Sequence, residues 1–93
     1  MIKYAIKDNI SGNYFNGYSM SWCLTGNYGF TSSIEQARLF SSERTTKGMV
    51  SKFNKAMKKE VDGRKDNTQR VYVPLQERDL KIVQIDIQYN DLG

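Results

Sequence analysis

Met49, Val50, Phe53, Ala56, Met57 and Val61 fall on one arc when the chain is wound at about 100° per residue, and Lys47, Lys52, Lys55, Lys58 and Lys59 fall on the opposite arc. No other feature restricts the fold as much. A helix with one apolar side must lay that side on another layer of structure, and the flanking sequence supplies strands rather than further long helices.

Ile2, Tyr4 and Ile6 alternate with Lys3, Ala5 and Lys7, the period-2 pattern of a strand with one buried face. Asp8 to Asn13 are turn formers, with Gly12 able to take a positive φ. From Tyr14 to Leu24 the pattern predicts a long second strand with a bend or bulge at Gly17. Thr25-Gly26-Asn27 reads as a turn, and Tyr28 and Phe30 as a short third strand.

Ser32 and Glu35 have capping-box spacing, which predicts a helix of about two turns burying Ile34, Ala37 and either Phe40 or Leu39. Ser41 or Ser42 then caps the long helix, with Glu43 at its positive end. Gly48 costs about 1 kcal/mol relative to alanine inside a helix, so it implies close packing or a start nearer Met49. Asp62 to Gln69 carry no apolar side chain; a C-cap at Gly63 and a mobile polar loop over about 62–70 are expected. Val71, Val73 and Leu75 suggest a strand that Pro74 confines to an edge. Val83, Ile85, Ile87 and Tyr89, alternating with Gln84, Asp86 and Gln88, suggest another.

The order β-β-β-α-α-β-β describes one α+β domain over residues 1–93. A mainly antiparallel sheet of four to five strands would carry the long helix on one face. Lys3, Lys7 and Asp8 interrupt the first apolar residues, so no secretory or membrane-spanning run is visible, and a soluble cytoplasmic protein is expected. Cys23 is the single cysteine and histidine is absent, which removes the usual zinc ligand sets and an internal disulfide. The carboxylates are scattered, and P-loop, dinucleotide and serine-elbow motifs are missing. The expectation is therefore a protein without catalytic, metal-ligating or cofactor-binding residues.

Net charge is +4, and it is concentrated. Residues 38–70 hold ten Lys or Arg against four Asp or Glu, a local +6, leaving −2 for the rest. Such a field attracts acidic partners, whether carboxylate-rich protein surfaces or phosphates. The candidate contact residues are Lys52, Lys55 and Lys59 on the outer helix face, Arg64 and Lys65 in the following loop, and Tyr18 or Trp22 on the hairpin as aromatic anchors. Tyr28-Gly29-Phe30 matches the centre of an RNA-reading strand, but the flanking positions do not, and the direct hairpin from Ile2 to Leu24 has the wrong topology. Nucleic-acid binding through the basic helix face and strand aromatics remains an alternative function.

Tyr4-x-Ile6-Lys7, Gly12-x-Tyr14, Trp22, Ser33-x-x-x-Ala37-x-x-Phe40-Ser41-Ser42 and Leu80-x-Ile82-Val83 resemble small accessory proteins of phages and prophages of Gram-positive bacteria. These are framework residues and transfer no chemistry. The resemblance implies a small product acting in the bacterial host cytoplasm by binding a host protein or a protein–nucleic acid complex. Anti-CRISPR and other anti-defence inhibitors are the prominent type. Many of those are acidic DNA mimics, whereas this chain is basic, so it would cover an acidic protein surface or the bound nucleic acid.

Overall fold

A computed structural model describes residues 1–17, 29–65 and 75–87. Strands β1 (Ile2–Asp8), β2 (Tyr14–Phe15), β3 (Phe30–Thr31) and β4 (Leu80–Asp86) form an antiparallel sheet in the order β3-β2-β1-β4, with helix α1 (Glu43–Lys65) between β3 and β4 in sequence. The α+β class, the antiparallel sheet and the single long helix agree with the pattern of the sequence.

β1 is one of the two inner strands and the longer of them. On one side it pairs with β4 along its whole length, from Ile2 opposite Asp86 to Asp8 opposite Leu80. Its other side is shared. Lys7 pairs with Tyr14 of β2, while Tyr4 exchanges two 2.8 Å backbone hydrogen bonds with Phe40. The β1–β2 turn closes through the Asp8 amide on the Asn13 carbonyl and the Gly12 amide on the Asp8 carbonyl, both 2.8 Å. Gly12 sits at φ 79°, where a side chain would be strained.

Ile6, Phe15, Phe40 and Phe53 form the core, with Tyr4, Phe30, Met49, Val50, Met57 and Leu80 packed against it. Cross-strand partners share a face. The helix therefore covers the Tyr4, Ile6 and Leu80 side of the sheet, and Val83, Ile85 and Ile87 belong to the other. Ser42 caps α1, its hydroxyl oxygen accepting from the Thr45 amide at 3.2 Å. Thr46 is fully buried on the inner side and donates its hydroxyl to the Ser42 carbonyl at 2.8 Å.

The short helix differs from expectation. Only a 3₁₀ turn forms, at Ile34–Gln36, and neither Ser32 nor Ser33 caps it. The Thr31 hydroxyl braces the turn from outside it, accepting from the Ser33 amide at 3.2 Å and donating to Gln36 Oε1 at 3.1 Å. Ala37 is extended, with ψ 146°, because the chain must straighten to bring Phe40 alongside Tyr4. Ile34 and Leu39 are consequently exposed, and Phe40 is buried.

The far end of α1 also differs. The helix runs through Gly63 to Lys65, so Gly63 is no C-cap and residues 62–65 are not loop. An Arg64–Glu60 pair at 3.2 Å holds that last turn. The strand expected over Val71–Leu75 lies outside the described residues except for Leu75, which is not in a strand; Cys23, Tyr89, the rest of the second strand after Gly17 and the remainder of the 62–70 loop lie outside as well.

Gly48 is neither tightly packed nor at the helix start, since α1 begins five residues earlier and a Cβ there would meet nothing within 4 Å. Gly48→Ala is accordingly expected to raise stability by about 0.5–1 kcal/mol, measured as a higher urea midpoint at unchanged slope. A lower midpoint would mean that the glycine serves a contact the folded chain does not show.

Candidate interaction surface

The apolar stripe of α1 points Phe53 into the core, where it is 2% exposed, with Met49, Val50 and Met57 beside it. Winding the other residues about the same axis then decides where the cations stand. Lys52, Lys55 and Lys59 fall within about 60° of one another on the outer side, and all three are exposed. Lys58 and Arg44 are exposed on the same outer side. None of these five makes an ion pair among the described residues, whereas Lys47 is engaged by Glu43 at 3.3 Å. The three candidate lysines are therefore brought together on a rigid element.

Arg64 is not part of that ridge. Its side chain is only 17% exposed and turns to Glu60, one helical turn back. Lys65 is the last residue of α1 rather than a loop residue. Tyr18 and Trp22 lie outside the described residues, while Tyr14 is half-buried on β2 under the Lys7 ammonium, 5.8 Å from the ring centroid.

A fully buried electrostatic arrangement lies elsewhere, at residues that no local pattern singles out. Asp8 and Arg78 form an ion pair of 3.2 Å with both side chains fully buried. The Asp8 carboxylate also accepts from the Asp79 amide at 2.9 Å, the Ser11 hydroxyl at 2.7 Å, and the Ile10 and Ser11 amides at 3.2 and 3.4 Å. The Arg78 guanidinium stacks 3.7 Å from the centre of the Phe30 ring. Burial pushes the Asp8 carboxyl up, but the Asp79 amide, the Ser11 hydroxyl and the Ile10 and Ser11 amides outweigh it, and the group lies below the ordinary carboxylate range. With its lone pairs occupied and no access to solvent, Asp8 is placed to lock β1, β3 and the approach to β4 together, not to transfer protons.

An open groove of about 290 Å³ lies between α1 and residues 75–78, lined by Phe53, Asn54, Met57, Val61, Leu75, Gln76, Glu77 and Arg78. Its lining offers one carboxylate and no nucleophile beside a base, so it has the composition of a packing seam. Among the described residues no three His, Cys, Asp or Glu converge as metal ligands, and no helix is long and apolar enough to cross a membrane. Comparison with known protein families, curated proteins and solved structures finds no match for this chain.

Proposed function

We propose that this protein is a non-enzymatic interaction module that docks on an acidic surface through the outer face of α1. The observation that carries the reading is the set of cations at Lys52, Lys55, Lys58 and Lys59, exposed and without ion-pair partners among the described residues. A helix packed on a sheet holds such charges in fixed register, and a concentrated positive field speeds encounter with an acidic partner. Together with the resemblance to phage accessory proteins, this favours an inhibitor of a host defence or nucleic-acid-processing protein, such as a CRISPR nuclease. It would act in the bacterial cytoplasm by covering the target's acidic surface or the nucleic acid it holds.

The triple substitution Lys52→Ala, Lys55→Ala, Lys59→Ala tests this directly. These residues touch no core group, so the thermal unfolding midpoint should stay within a few degrees of the parent. Capture of partners from host lysate should fall about tenfold or more. Capture at parental strength by the folded triple variant would remove this face from consideration.

A further inference from the structure

Resting on that docking reading, we infer that the acidic surface α1 meets is the phosphate backbone of duplex DNA, held without reading its sequence. Three features of the helix separate this from a carboxylate-rich protein patch.

The first is what the outer face lacks. The exposed large apolar residues of the described chain are Met1, Ile2, Ile10, Ile34 and Leu39, and none lies on α1. Protein interfaces are organised around a desolvated apolar or aromatic centre, and lysine is depleted in them. A face built from lysines with no such centre has little to offer a protein epitope, whereas phosphate contacts require only cations.

The second is linear charge density. Lys52, Lys55, Lys58 and Lys59 occupy about 10 Å of helix axis, roughly one cation per 3 Å. A row of carboxylates spaced four residues apart on a partner helix supplies one charge per about 6 Å, and duplex DNA supplies one per about 1.7 Å. The duplex backbone is dense enough to face all four ammonium groups at once whatever their exact spacing. Asp62, exposed one turn further on, marks the end of the run.

The third is the kind of cation. Lysine is a point charge on a flexible stem and follows phosphates without the planar fork that arginine uses on guanine edges. Contacts of this type position a protein on DNA and carry no base information. The face also offers no aromatic ring for stacking, which favours duplex over single strands.

The experiment is fluorescence anisotropy of the intact protein with a duplex of about 30 base pairs of arbitrary sequence, and with its single strands, between about 50 and 200 mM KCl. The expected result is sequence-independent duplex binding in which log K falls against log salt concentration with a slope of about −3 to −4, four lysines at about 0.9 each. The slope should shrink to about −1 in the Lys52→Ala, Lys55→Ala, Lys59→Ala variant and survive in the corresponding triple arginine variant. Absence of duplex binding, a slope shallower than about −2, tighter binding to single strands, or unchanged affinity in the triple alanine variant each overturns the inference. The two readings fail differently. If duplex is not bound but the triple alanine variant loses a protein captured from nuclease-treated lysate, the DNA assignment falls and the docking face stands; if neither binding depends on the three lysines, both fall.

Discussion

Replacing Arg78 by methionine is expected to destabilise the protein by about 3–5 kcal/mol, among the largest effects any single substitution here should have. The cost comes less from losing the ion pair than from what stays behind. Asp8 would remain fully buried at the end of β1 with its charge uncompensated by a cation. Methionine keeps much of the stem volume and still contacts the Phe30 ring, so packing loss is a minor part. Adding Asp8→Asn should recover part of the loss, because the two changes remove one network and do not add. Urea unfolding of the two single variants and the double variant measures this. Additive losses would mean that the residues are not coupled.

The same cluster fixes a pH dependence. Because the folded Asp8 carboxyl sits below the usual range, its contribution is fully present above the unfolded value of about 3.9 and is lost as pH falls through the folded value. Asp8→Asn should therefore be less stable than the parent near neutrality and show a flatter decline below about pH 4. An identical acid limb in parent and variant would contradict that assignment.

Phe15→Ala carries the second large expectation, a loss of about 3–5 kcal/mol. Phe15 is fully buried, and it meets Phe30 edge to face with ring centres 5.8 Å apart. β2 is only two residues long and has a single backbone pairing with β1. The Phe15 carbonyl also accepts from the Arg38 amide at 2.9 Å and the Asn16 amide donates to the Gly29 carbonyl at 2.8 Å, and the buried ring supplies the apolar part of the attachment. Loss of the ring should lower the denaturant midpoint and also raise hydrogen exchange at Phe30 and Thr31, which pair with β2. A destabilisation below about 1.5 kcal/mol would mean that the core collapses readily around the gap.

What could be read from the sequence was whatever repeats locally. The alternation at Ile2, Tyr4 and Ile6 marks a strand and the stripe from Met49 to Val61 a helix, and both elements form where expected, although Ile2 is exposed and Ala5, on the opposite face of the strand, is buried. Ser42 is legible for the same reason, because a cap acts within one turn. The lysine ridge follows as the complement of the stripe. The short helix failed because Tyr4 competes for Phe40 from a distance of 36 residues, and the backbone turns extended at Ala37 to reach it. A capping pattern has no knowledge of that competition.

The Asp8–Arg78 pair was illegible for a stronger version of the same reason. Its partners are 70 residues apart. In the sequence Asp8 is one of a series of turn formers and Arg78 belongs to no recognisable pattern; only the antiparallel register of β1 and β4 brings them together. Likewise Gly63 looked like a helix stop, yet open space around it and the Glu60–Arg64 pair let the helix continue.

The inner position of β1 bears on how the sheet closes. Its full-length neighbour β4 follows more than 70 residues later in the sequence, after the helix. Ile6 is covered by Phe15, Phe40 and Phe53, whereas Ala5, also completely enclosed, lies opposite Val83 of β4. Zipping the β1–β4 edge therefore closes a loop of large sequence separation, and its entropic cost makes this the step expected to limit the rate of folding.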